Sequence, residues 1–208
     1  MSFLSDQDEK NKRYTRDYSR FGHQVKTVGW LSRDTQRKRF KQLLSFKPVW
    51  SGETVLDVGC GLGDFFHYIK ANSLNINFTG VDHSSALIDA AKRAYPSGHF
   101  KVHNLFQKPL LNPVDVVFAS GVFNLKMGDA NEQLAFLSEG IKRLLALAKQ
   151  GVAFNVLEEN DLTRKIVKTD YYYYTQDDIK EICKHFNLNI TISGGYLEND
   201  MTIFLRSG

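Results

Sequence analysis

Residues 55–64, Val-Leu-Asp-Val-Gly-Cys-Gly-Leu-Gly-Asp, constrain the fold more than any other stretch. An apolar run enters three glycines spaced GxGxG and leaves as a helical pattern, DFFHYIKANS. Bare backbone between a strand and a helix lets a ligand approach the main chain beside a helix N-terminus. The spacing argues against two common phosphate sites. A dinucleotide turn has its third glycine one position later, and a P-loop ends in Gly-Lys-Ser/Thr. Asp57 stands two residues before Gly59, at the carboxyl end of the strand. A carboxylate there repels a pyrophosphate and attracts an ammonium group.

The rest of the chain alternates in the same manner. INFTGVD, HFKVHNL, PVDVVFAS and GVAFNVL read as strands, separated by the helical patterns SSALIDAAKRAYP and ANEQLAFLSEGIKRLLALAKQ. The second of these helices is expected to run over 130–150 and to stop at Gly151 in the C′ position. TQDDIKEICKHF follows as a helix with Thr175 as N-cap, and NLNITISGGYLENDMTIFLR reads as two strands around a Gly-Gly turn and loop. Parallel neighbours need crossover connections, so strand and helix in alternation predict a mostly parallel sheet covered on both faces. The short final connection predicts an antiparallel strand at the end.

Composition sets the outer bounds. With 208 residues, 42% hydrophobic and 24% charged, the chain fits one domain with a modest appendage and no second enzymatic domain. The net charge of +4 is unevenly placed: residues 1–41 carry 11 basic and 5 acidic side chains, and the remainder is mildly acidic. The boundary lies near residue 45, where a basic helical pattern with Ser32 as N-cap gives way at Lys47-Pro48. This divides the chain into an N-terminal helical lid, 1–46, and a core, 47–208. Two distant cysteines and the lack of an apolar leader or spanning segment predict a cytoplasmic protein. His99 and His103 flank a strand-like FKV and cannot share a helical ligand face, so no metal is expected.

Asp82 ends the second strand about 20 residues beyond the glycine loop, where a carboxylate can accept from both ribose hydroxyls. With LDVGCGLG, GVD, His103-Asn-Leu105 and Asp115-Val-Val-Phe-Ala-Ser-Gly121 in this order, the chain resembles the class I S-adenosylmethionine-dependent methyltransferases over residues 50–206. SGVFNLK, AFNVL, RFG and GW look in particular like small bacterial members. The resemblance implies a Rossmann-like, doubly wound α/β sheet of seven mostly parallel strands, the last antiparallel, with S-adenosylmethionine as cofactor and S-adenosylhomocysteine as product. It places Gly59, Gly61 and Gly63 close to the methionine part, with Asp57 beside them, and Asp82 on the ribose with His83 adjacent. Asn104 would meet the adenine amino group and the Leu105 backbone the ring edge; Asp is commoner than Asn at that place. Ser120 and Gly121 would pass near the methionine part.

Ligands of open α/β sheets bind beyond the carboxyl ends of the strands, so acceptor residues are sought after strands four and five. Asn124, Lys126 and Asn155 are candidates to orient a polar acceptor, Asn124 first, and Glu158 to accept a hydrogen bond. A base-flipping enzyme carries an Asn/Asp-Pro-Pro-Tyr/Phe clamp after strand four, which is absent. In the N-terminal segment Tyr14, Tyr18, Phe21, His23 and Trp30 accompany the basic residues. Tyr18 and Trp30 are candidates for a water-poor wall over the acceptor, and His23 for proton removal. If Tyr171–Tyr174 is extended, alternation sends two rings inward and two outward. The expected reaction is in-line methyl transfer to O or N of a small molecule, without a nucleic-acid or membrane partner. The rivals are an RNA methyltransferase using the basic segment, and a non-catalytic cofactor-binding protein of the same fold.

Overall fold

A computed structural model of the chain describes residues 3–107, 112–165, 170–186 and 188–207. Seven strands form one sheet: β1 (Ser51–Val58), β2 (Asn75–Asp82), β3 (His99–Val102), β4 (Val114–Ser120), β5 (Ala148–Leu157), β6 (Asn189–Ser193) and β7 (Asp200–Arg206). Their spatial order is β3-β2-β1-β4-β5-β7-β6. The first five run parallel to one another, whereas β7 runs antiparallel to both β5 and β6. Helices α1 (Phe3–Phe21) and α2 (Arg33–Leu44) precede the sheet; α3 (Asp64–Ala71), α4 (Ser85–Ala94), α5 (Ala130–Leu145) and α6 (Gln176–Cys183) connect its strands. The chain winds outward from β1 to β3 and then returns to β4 beside β1. That reversal opens a crevice at the carboxyl ends of β1 and β4.

Both faces of the sheet are buried, which is why its central strands read as continuous apolar runs. Along β4, Val116 and Phe118 pack on one face with Phe40, Leu43, Phe65 and Ile69, while Val117 and Ala119 pack on the other with Leu137, Ile141 and Phe154. No helix among the described residues is long and apolar enough to cross a membrane.

Two expectations change. Helix α5 stops at Leu145 with Ala146 as its cap, and Ala148, Lys149 and Gln150 already belong to β5. The LALAKQ continuation keeps a helical period, but pairing with β4 and β7 wins. Gly151 is therefore no helix cap: it sits inside the sheet at φ 147°, opposite Arg206. A Cβ there would lie 2.1 Å from the Leu205 carbonyl oxygen. Gly151→Ala is expected to cost about 3 kcal/mol through backbone strain and overlap, read as a lower denaturant midpoint with unchanged slope.

The second change concerns the lid. Ser32 caps α2 by accepting from the Thr35 amide at 3.1 Å, as expected. The helix is nevertheless built into the core: Phe40 stacks on Phe65 with centroids 4.6 Å apart, and Leu43 is fully buried. Arg39 reaches Asp200 at the start of β7, its Nε donating to Oδ1 at 2.7 Å and its Nη2 to Oδ2. Only α1 and residues 22–31 remain as a cap over the carboxyl ends of β1, β2 and β4.

Candidate functional site

The strand-to-helix turn after β1 is tied to the tip of β2 by main-chain groups. The Gly59 and Cys60 amides both donate to the Val81 carbonyl, at 2.8 and 3.0 Å. Asp82 finishes the tie: Oδ2 accepts from the Gly61 amide at 3.0 Å and Oδ1 from the Ser84 amide at 2.9 Å. Oδ2 keeps a further lone pair, and His83 Nδ1 lies 3.5 Å from Oδ1. Positive φ at Gly59, Gly61 and Gly63 turns the chain away from β1 and into α3.

A cavity of about 350 Å³ opens at this turn, bounded by the ends of β1, β2 and β4 on one side and by the cap on the other. Asp57 lines it, is 2% exposed, and its Oδ1 has no hydrogen-bond partner. Burial, reinforced by the charge of Asp82, holds its carboxyl well above the usual carboxylate range. A buried acceptor without a donor, facing a cavity, fits a cationic ligand group.

Across the cavity Trp30 lies against Gly121, which has φ 71°; a Cβ on Gly121 would come within 2.7 Å of the indole. The Arg39 guanidinium covers the other part of that ring at 4.5 Å, so Trp30 is held between bare backbone and a cation. Ser120 donates its Oγ proton toward Asn155 Oδ1 at 3.1 Å. Asn124 is buried, and its Oδ1 accepts from the Leu157 amide at 3.1 Å, which fixes its carboxamide between β4 and β5. The tyrosine run alternates as expected. Tyr171 and Tyr173 line the cavity, whereas Tyr174 is fully buried and donates to the Phe123 carbonyl at 2.8 Å, with Tyr172 packed on it.

Of the residues singled out from sequence, Asp57, Gly59, Gly61, Asp82, His83, Ser120, Gly121, Asn124 and Trp30 meet around this cavity. The others are placed elsewhere for identifiable reasons. Gly63 is the N-cap of α3 and backs onto Phe100. Asn104 turns its Oδ1 to the Phe106 amide at 2.9 Å and Leu105 enters the core, so Phe106 forms the cavity wall there. The Lys126 side chain is exposed, and Asn155 is buried behind Ser120 with Nδ2 unpartnered. Tyr18 docks α1 on Leu62, Leu87 and Ala90. His23 lies outside the cavity wall. Its Nε2 is 3.2 Å from Asp64 Oδ1, and its ring meets Tyr95 edge-on at 5.7 Å. Burial pushes the Asp64 carboxyl up, but hydrogen bonds from His23 and Gln36 outweigh it and hold the group below its ordinary value. Glu158 accepts from Gln176 at 2.9 Å.

Gln36, Arg39 and Asn199 are among the wall residues that the sequence did not single out. The first two sit in a helix whose pattern reads as a basic surface. Asn199 enters because β7 runs antiparallel, which brings its first residues to the edge where β5 ends. No local signal marks that.

A reversing α/β sheet with an antiparallel β7 carries, at one cavity, a glycine loop latched by an acidic residue on β2 and an unpaired carboxylate below it. Residues 56–151 match the methyltransferase domain family model. A methyltransferase-named protein of Mycobacterium tuberculosis is 24% identical over 155 residues, covering 74% of this chain and 92% of that protein. Among solved structures, DhpI in complex with SAM and HEP superposes with TM-score 0.67 at 13% identity, covering 100% of this chain and 99% of that one. CalS10 of Micromonospora echinaspora, an amino pentose methyltransferase with SAM bound, gives TM-score 0.61 at 13% identity, covering 86% and 93%. Residues 56–151 are thus similar to a methyltransferase domain, and the fold is that of the S-adenosylmethionine-dependent methyltransferases.

Proposed function

We propose that the chain moves a methyl group to an oxygen or nitrogen of a small molecule. The observation that carries this reading is the single cavity shared by the glycine loop and the cap. An acceptor must enter beneath Trp30 and the tyrosines, and a folded macromolecule would meet the cap first. When bound, S-adenosylmethionine supplies an electrophilic methyl carbon on a sulfonium sulfur.

The protein's part is alignment and exclusion of water. Asp57 would take the ammonium group with its unpartnered oxygen. The carboxylate of Asp82 would accept from the ribose hydroxyls, and His83 would stand beside them. The Gly59, Gly61 and Gly121 backbones would leave room for the methionine part. Asn124, held rigid by Leu157, would orient the acceptor atom, with Trp30 excluding water above it. His23 acts as a clasp between cap and α3, not as a proton acceptor. An amine that binds in neutral form needs no base.

Titration calorimetry with S-adenosylmethionine tests the base of this reading, followed by a screen of small acceptors for release of S-adenosylhomocysteine. Asp82→Ala removes two charge-assisted hydrogen bonds that hold the turn as well as the ribose acceptor. It is expected to weaken cofactor binding by more than about tenfold. Unchanged affinity would remove Asp82 from the site, and absence of binding by the parent protein would end the enzyme reading.

A further inference from the structure

The charges around the cavity are not evenly divided. Of its carboxylates, Asp57, Asp64 and Asp82 lie on the β1, α3 and β2 side and belong to the glycine loop and its supports, and Asp17 alone lies on the cap side, on α1. Arg39 is neutralised by Asp200 in a buried pair. What remains on the cap side is mostly cationic. Arg13 and Lys26 both line the cavity. Arg13 meets Asp17 and Asp170 only at 3.7 and 3.6 Å, and Asp17 is shared with Arg16 at 3.4 Å. Lys26 has no carboxylate partner among the described residues. It lies 4.4 Å from the Phe21 ring centroid, with a second cation, Arg20, 5.0 Å from the same ring. Two cations gathered on one ring without an anion leave a positive potential at the entrance.

The same side is aromatic. Trp30 is clamped by Arg39, and Tyr171 and Tyr173, two apart in an extended run, project to the same side. Flat rigid walls of this kind favour a flat apolar body. A bound sulfonium cofactor adds a net positive charge of its own, which favours an anion beside it.

We propose, resting on the methyltransferase reading, that the acceptor is a small ring-bearing anion, a carboxylate or phosphate. Its ring lies among Trp30, Tyr171 and Tyr173, and its acidic group is drawn to Arg13 and Lys26.

The test is calorimetry on protein saturated with S-adenosylhomocysteine, with 4-hydroxybenzoate and phenyl phosphate as anionic probes and phenol and tyramine as neutral and cationic controls. The anions are expected to bind at least about tenfold more tightly than tyramine, and less so at high salt. Charge reversal by Lys26→Glu should weaken both anions about tenfold and leave phenol unmoved. Lys26 is exposed, and an unchanged thermal midpoint reports that the variant folds. Equal affinity for all four probes, or a preference for tyramine, overturns the proposal. So does a shift of mixed RNA that Lys26→Glu abolishes while the small anions fail to bind, since the charge would then serve nucleic acid. Saturation with S-adenosylhomocysteine is measured first. Its failure would remove the methyltransferase reading itself, whereas its success with no anion preference removes only the acceptor class.

Discussion

Asp57→Asn is expected to bind S-adenosylmethionine at least about 100-fold more weakly than the parent protein and yet to melt several degrees higher. Both effects follow from one oxygen. Asp57 is 2% exposed and its Oδ1 has no donor, so ionising it in the free protein places an uncompensated charge in a low-dielectric site. Burial, then the neighbouring Asp82, raise its pKa in the folded state above the ordinary value of about 3.9. A raised carboxylate contributes stability that is full below the unfolded value and lost as pH rises through the folded one. At neutral pH the free protein therefore carries a penalty that the neutral amide avoids. An ammonium group cancels the same penalty on binding, so binding by the parent releases a proton over the raised range. Affinity should fall as pH drops through it. Calorimetry in two buffers of different ionisation enthalpy reads that proton, which Asp57→Asn should no longer release. A variant that is less stable, or that binds as well as the parent, would refute the assignment.

Arg39→Ala should destabilise the protein by about 3–5 kcal/mol, because it leaves Asp200 buried and unpaired. The two side chains are 8% and 1% exposed, so solvent does not screen the loss. Burial pushes the Asp200 carboxyl up even against the pull of Arg39. Without the guanidinium the carboxyl rises further, and the deficit should shrink as pH falls through that range. Asp200→Asn added to Arg39→Ala should recover part of the loss, since no buried charge then remains. The pair also holds Trp30, one of only two tryptophans. In a Trp50→Phe background, Arg39→Ala should red-shift the remaining emission as the indole meets water. Unchanged emission would show that Arg39 does not position Trp30.

Much of this was legible in the chain itself. The GxGxG turn with Asp57 and Asp82, the alternation of strands and helices, and the antiparallel ending rest on local patterns, and the fold realises them. The end of α5 was not legible, because Ala146–Gln150 suits a helix until β4 and β7 compete for it. The site was readable where the motif is contiguous and unreadable where distant elements meet. Nothing near Arg39 announces Asp200, and nothing near Asn199 announces the cavity. His23 has the chemistry of a base, but its place is set by Asp64, a residue 41 positions away.

The Arg39–Asp200 pair also sets an order of events during synthesis. Its two members are 161 residues apart, so at ribosomal rates Arg39 waits roughly 8–32 s for its partner. Until β7 is inserted beside β5, α2 can make its apolar contacts but not its buried ionic one. The clamp on Trp30 is then incomplete. Closure of the cavity is thus a late step in maturation, and the cofactor site becomes whole only after the strand that follows all the parallel ones has joined the sheet.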